Sequence, residues 1–210
     1  MSEKRRRVLF LIPTLTGGGA ERVVVTLLQH LDRRRFDLAL AVVDTRGAAF
    51  RDEVPPDVEF IDLGCRRVRH ALPKLVRLLR RRRPDVVLST LGHLNLALSI
   101  VRPLLPGSTR YIARETTVVS HGIAEYPRPR LWAWAYRRFY GRFDRVICQS
   151  RGMRTDLVEA FGLAPWSSTT RWIARGSRQR WRGRCRCRRR RACCIWWRRV
   201  GWLVRRASTC

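Results

Sequence analysis

Between residues 7 and 163 the chain alternates short, continuous apolar runs with segments of helical periodicity, and this alternation constrains the fold more than anything else in the sequence. "RVLFLIPTL" (7–15), "DLALAVVD" (37–44), "VEFIDLG" (58–64), "DVVLSTL" (85–91), "RYIARETT" (110–117) and "RVICQS" (145–150) are runs of strand length. They do not alternate apolar with polar, so they suit strands buried on both faces. Between them lie "AERVVVTLLQHL" (20–31), "ALPKLVRLLRRRR" (71–83), "HLNLALSIVRPLL" (93–105), "RLWAWAYRRFYGRF" (130–143) and "GMRTDLVEAFGL" (152–163). In the first of these, Val23, Leu27 and Leu31 share one helix face and Val24 and Leu28 lie beside them. "SHGIAEYPRPR" reads as a loop, and Gly162 as the stop of the last helix. Strands separated by helices predict βαβ units and an α/β fold: a doubly wound, mostly parallel, Rossmann-like sheet over roughly residues 5–163.

Such a sheet binds ligands outside the carboxyl ends of its strands. The expected binding segments are therefore Thr14–Glu21, Asp44–Gly47, Leu91–His93, Arg114–Thr117 and Gln149–Gly152. The first holds three consecutive glycines between a buried strand and a helix. Glycine takes positive φ and lets a backbone approach a ligand closely. The helix start behind it offers free N–H groups and partial positive charge, which suits phosphate. "GGGAER" does not meet the dinucleotide pattern G-x-G-x-x-G, because Arg22 stands at the third glycine position, and it is not a Walker A loop. A nucleotide-dependent oxidoreductase is disfavoured for that reason. A tight packing turn and a ligand loop remain equal readings of these glycines.

Composition divides the chain near Pro165. The formal net charge is +29, and residues 166–210 carry fifteen Arg with no Lys, Asp or Glu. They also hold six of the eight Trp and five of the seven Cys. Fifteen like charges without an acid oppose compaction, so this stretch is expected to be a disordered or irregular basic tail. The predicted division is a domain over 1–163 and a tail over 164–210 that is not a domain. The cysteines of "RCRCRRRRACC" are spaced as C-x-C and C-C with no histidine nearby, a poor match to zinc pairs. A tail of this kind would hold nucleic acid or an anionic membrane unspecifically. A non-catalytic binding module with such a tail is the alternative function class.

The body has only Cys65 and Cys148, which fits a reducing, cytoplasmic compartment. "EKRRRVLFLIPTL" has a basic start and an apolar run but no small-residue cleavage site, so it reads as the first strand. No apolar run reaches the ~20 residues of a membrane helix. The basic clusters "KRRR", "DRRRF", "CRRVRH" and "LRRRRPD" read first as solvated helix faces. Their second reading is attraction to anionic lipid at the inner face of a membrane, worth ~1 kcal/mol per residue near the surface.

"LIPTLTGGGAERVVVTLLQHLD" resembles the opening of the family 4 retaining glycosyltransferases of GT-B fold. "DVVLSTLGHLNLALSIV", "YIARETT" and "DRVICQSRGMRTDLVEAFGL" resemble later blocks of the same family, in the same order, up to the end of its N-terminal domain. The resemblance implies one half of a GT-B fold. It implies an enzyme that moves a sugar from a nucleotide diphosphate sugar to a hydroxyl of a glycan or lipid-linked acceptor, with retention and without a metal or other cofactor. Gly17, Gly18 and Gly19 would lie near the donor diphosphate and the acceptor. Glu21 would mainly oppose the helix dipole. His93 would touch the acceptor sugar or simply stand at a helix start, and Arg114 and Glu115 would face the acceptor. No catalytic residue is assigned. Ser150 is expected to cap the helix that follows. Trp132, Trp134, Tyr136 and Phe139 read as core or interdomain packing.

The family's second domain has no counterpart in residues 166–210, but codon arithmetic suggests a source for them. In the frame that joins the last base of each codon to the first two of the next, every Trp and Cys codon becomes Leu, Val or Met. In that frame residues 169–173 permit D-N-P-V-D, residues 200–202 permit G-R-L and residues 207–210 permit G-F-D-L. These strings resemble the start of the family's second domain. A reading-frame slip just after Ala164–Trp166 is the expectation. The chain as written would then be inactive, with no specific nucleic-acid partner.

Overall fold

In the computed structural model, which describes residues 4–163, β1 (Arg6–Ile12) is the axis of the sheet. Its side chains alternate between two cores. Leu9 and Leu11 enter one, while Val8, Phe10 and Ile12 enter the other. Both faces of the strand are covered, which is why its sequence is a continuous apolar run.

The chain continues through α1 (Gly19–His30), β2 (Phe36–Val42), β3 (Glu59–Asp62) and α2 (Val68–Arg82). It goes on through β4 (Val86–Thr90), α3 (Gly92–Val101), β5 (Arg110–Arg114) and α4 (Val119–Ala124). The last elements are α5 (Pro129–Phe139), β6 (Arg145–Ile147) and α6 (Arg151–Phe161). Short 3₁₀ turns follow α3 at Arg102–Leu104 and α5 at Tyr140–Arg142. The six strands form one sheet in the order β3-β2-β1-β4-β5-β6, and every neighbouring pair is parallel. The expected α/β, doubly wound, Rossmann-like class is therefore the observed one.

One face of the sheet packs against α1 through Val24, Val25, Leu27 and Leu28, helped by Phe50, Val54 and Val58 of the long β2–β3 connection. The other face packs against α2, α3, α4, α5 and α6 through Leu75, Leu79, Leu94, Leu98, Ile123, Tyr136, Leu157 and Phe161. Each of these side chains, fully buried, contributes ~1.5–3 kcal/mol of transfer free energy.

One element departs from expectation. The segment read as a loop begins with α4, whose Val119 and Ile123 are one helical turn apart and both buried. The Ser120 N–H donates to Asp156 Oδ2 at 3.0 Å, tying this short helix to α6. The turn residues of "SHGIAEYPRPR" outweighed that single apolar pair in the sequence. At the end of α6, Gly162 adopts φ +61° as expected. Its N–H donates to Val158 O at 3.0 Å, the single bond of an αL stop, and the Leu163 N–H donates to Leu157 O. Ser150 Oγ accepts from Met153 N at 3.2 Å and caps the same helix at its start. The 164–210 tail, its basic character and the proposed frame slip lie outside the described residues.

Candidate functional site

The strand order reverses direction between β1 and β4, because β1 leads outward to β2 whereas β4 leads the other way to β5. Crevices at the carboxyl end of such a point are where open α/β sheets bind ligands. The segments that meet there are the glycine loop after β1 and the Leu91–His93 turn after β4.

Gly17, Gly18 and Gly19 are all exposed. Gly17 has φ +111°, a conformation that glycine alone adopts without strain. Gly18 is the N-cap of α1 and supplies no side-chain cap to the first turn. A Cβ on Gly18 would stand 2.5 Å from Glu21 Oε2, so that carboxylate occupies the space a side chain would need. A Cβ on Gly19 would meet nothing within 4 Å. Backbone conformation explains glycine at 17 and the Glu21 carboxylate explains it at 18, but nothing among the described residues requires it at 19. An open, uncapped helix start of this kind suits an anionic group.

Glu21 is buried, and its Oε1 accepts from Thr14 Oγ1 at 3.1 Å. It therefore does more than oppose the helix dipole: it links the start of the glycine loop to the first turn of α1. Its charge also acts on Arg114. The guanidinium of Arg114 is 1% exposed, and burial pulls its pKa down to about 10, against the opposing charges of Glu115 and Glu21.

Arg114 and Glu115 lie on opposite sides of the sheet. Ile112 belongs to the α1-side core and Ala113 to the other, so Arg114 returns to the α1 side. Glu115 enters the opposite layer. Its Oε1 accepts from Asn95 Nδ2 at 2.9 Å and from the Tyr140 hydroxyl. Asn95 also donates to Arg114 O at 3.0 Å and accepts from Ser89 Oγ at 2.7 Å. Burial pushes the Glu115 carboxyl up to about 7, although Tyr140, Asn95 and Arg114 all favour its charged form. Ser89, Asn95, Glu115 and Tyr140 thus form one buried polar chain from β4 across α3 to the turn after α5.

Gly92 sits over this chain. A Cβ there would be 2.5 Å from the Tyr136 hydroxyl and 3.3 Å from Glu115 Oε2. The residue before it, Leu91, holds φ +80°, a rare conformation for a branched side chain, and Thr90 carries a buried hydroxyl with no hydrogen-bond partner among the described residues. A strained backbone residue beside an unsatisfied buried hydroxyl, both at the switch point, marks a place shaped for something other than packing. His93, in the first turn of α3, is half-buried, and burial lowers its pKa.

The sequence-derived candidates therefore fall into two groups. Gly17, Gly18 and Gly19 form an open rim, joined through Glu21 to Arg114. Glu115 belongs with Asn95 and Tyr140 beneath the turn that carries His93. Sequence reasoning missed Ser89, Thr90, Asn95 and Tyr140, and it placed Thr14 and Leu91 in binding segments without giving either a role of its own. A signal existed for Asn95, the one polar residue among the leucines of "LNLAL", since a polar side chain on a buried helix face needs partners. Of the aromatic residues read as packing, Tyr136 is buried and stacks on Tyr140 at 4.7 Å, and Trp132 and Phe139 lean on the core. Trp134 is 54% exposed and so does not belong to the core. Among the described residues no helix is long and apolar enough to cross a membrane.

No curated protein matches the chain. Among solved structures it is similar to Anabaena Alr3699/HepE in complex with UDP and glucose. That likeness has a TM-score of 0.51 and 15% identity, and covers 74% of this chain and 41% of HepE. A second structure of HepE, with UDP-glucose, matches at TM-score 0.49 and 14% identity, covering 73% of this chain and 40% of that one. The chain thus spans about two fifths of the length of the structure it resembles, and at this identity the likeness speaks for the fold. The family model described as Glycosyltransferase Family 4 matches residues 17–177, beginning at Gly17 of the glycine loop and taking in the Leu91–His93 turn, Arg114 and Glu115. With most of its length inside that match, the chain belongs to Glycosyltransferase Family 4.

Proposed function

We propose that residues 1–163 are the acceptor-side domain of a cytoplasmic enzyme that transfers a hexose from a nucleotide diphosphate sugar to a hydroxyl acceptor, with retention of configuration. The observation that carries this reading is the open glycine rim at the β1/β4 switch point. Gly17 takes positive φ, the first turn of α1 has no side-chain cap, and Gly19 is a glycine that protein packing does not require. The rim's amides suit the charge that develops on a leaving diphosphate. HepE, of similar fold, was solved with UDP and glucose, which supports a nucleotide sugar as donor here. In this reading Arg114 sets the rim through Glu21, and Glu115 holds the His93 turn at the acceptor side.

The 210-residue chain by itself is expected not to turn over, because one domain supplies one wall of the cleft. Residues after about 165 are proposed to be translated one base out of step; the family match runs on to residue 177 and leaves out 178–210. The DNA around codon 165 tests the second point: an adjacent frame interrupted by stop codons would refute it. The first is tested by comparing this chain with a frame-restored protein against a panel of nucleotide sugars. The restored protein should show thermal stabilisation by one donor and release of its nucleotide. Turnover by the 210-residue chain would contradict the half-cleft reading, and no response of the restored protein to any donor would contradict the donor class.

A further inference from the structure

All four large apolar side chains that stand exposed among the described residues lie on one helical layer. Ile100 and Leu104 are at the end of α3 and its 3₁₀ turn, and Leu131 and Trp134 are on α5, each 44–54% exposed. Contacts between α3 and α5 link the two pairs. The Trp134 ring meets Phe139 edge-on at 5.6 Å, and the Arg142 guanidinium lies 4.7 Å from the same Phe139 ring. Arg142 also donates to Ile100 O at 3.1 Å, and Arg80 Nε of α2 donates to Leu104 O at 2.7 Å.

The charge of three helices of this layer is one-sided, whereas α6 of the same layer carries Asp156 and Glu159 beside Arg151 and Arg154. Helices α2, α3 and α5 with their 3₁₀ turns contain eleven Arg or Lys and no Asp or Glu. Arg82 is paired with Glu59, and Arg102 lies 3.8 Å from Asp144. Arg80, Arg137 and Arg142 donate to backbone carbonyls, which fixes them in place without cancelling their charge. On α5, Arg130, Leu131, Trp134 and Arg138 follow the one-turn spacing of a single face, and all are exposed.

We propose that this face of α5, with the adjoining end of α3, seats on an anionic lipid surface. Trp134 and Leu131 enter the headgroup boundary, and Arg130 and Arg138 meet lipid phosphates while their stems cover apolar surface. The aliphatic members favour lipid over nucleic acid, because Ile100, Leu104 and Leu131 have no ring to stack on a base. α5 precedes β6, so it runs from the carboxyl edge of the sheet toward the amino edge. A membrane along it would hold the carboxyl-edge rim beside the lipid surface rather than against it.

The test is sedimentation of the full chain with phosphatidylcholine vesicles, with and without phosphatidylglycerol. The fifteen Arg of residues 166–210 attract anionic vesicles in every variant and cancel in ratios between variants. Leu131→Ser combined with Trp134→Ala should lower partition to the anionic vesicles by about tenfold or more, whereas Trp134→Phe should stay within about threefold of the parent. The thermal midpoint should not move, since both side chains are more than half exposed. Arg130→Gln with Arg138→Gln should weaken binding to the anionic vesicles and leave phosphatidylcholine unaffected. Equal partition of the parent and the Leu131/Trp134 variant would overturn the proposal. Loss of affinity for single-stranded polyuridine with vesicle binding intact would also overturn it, and would reassign the face to nucleic acid.

Discussion

Arg114 and Glu115 are neighbours in sequence and are divided by the sheet they terminate. The arginine lies on the α1 side under the charge of Glu21, and the glutamate lies in the opposite layer, held by Asn95 and Tyr140. One strand end thus supports both segments that flank the switch point.

The burial of Glu115 has a consequence for stability. Its pKa rises from an ordinary 4.5 to about 7, so between those values the folded chain binds more proton than the unfolded one. The Glu115 contribution is therefore fully present below about 4.5 and is lost as pH rises through about 7. Its span is on the order of 3 kcal/mol. Glu115→Gln should flatten the fall in unfolding free energy across this window, measured by urea titration at several pH values. Parallel curves for parent and variant would place the titration elsewhere.

Tyr140 donates its hydroxyl to Glu115 from a fully buried position. Tyr140→Phe should cost about 1–3 kcal/mol, because a buried acceptor loses a donor. Since that bond favours the charged carboxylate, its loss should also move the pH-dependent fall in stability upward. Unchanged stability with an unchanged pH profile would show that the bond contributes nothing.

The glycine rim predicts a contrast. Gly17→Ala, at φ +111°, should destabilise by about 1–2 kcal/mol. Gly19→Val, where an added Cβ meets nothing, should leave stability within about 1 kcal/mol and weaken the affinity of the frame-restored protein for its donor. Chemical denaturation and donor titration of the two variants separate these effects.

Ser150→Ala removes the side-chain cap of α6 and should cost about 1 kcal/mol, read from the denaturation midpoint. An unchanged midpoint would mean that solvent satisfies the Met153 N–H equally well.

The strands and their parallel direction were legible because a strand buried on both faces must be apolar throughout, as Val8–Ile12 is, but their order in the sheet was not. Ser150 and Gly162 were legible because a cap is a local event. The glycine rim was visible for the same reason. The Ser89–Asn95–Glu115–Tyr140 chain was not, because its members come from four separate elements and share no spacing. Their proximity exists only once β4 and β5 pair and α5 folds back over α3. Leu91 carries no sequence mark of its φ of +80°, and the exposure of Trp134 in an aromatic helix looks in sequence like packing.

The measurement closest to the centre of this account is a titration of the ¹⁵N-labelled chain with UDP, followed through its backbone amides. The largest shifts are expected at Gly17, Gly18, Gly19 and Ala20, with smaller ones at Gly92 and His93. Shifts confined to the basic faces of α2 and α5, with the glycine amides still, would contradict it.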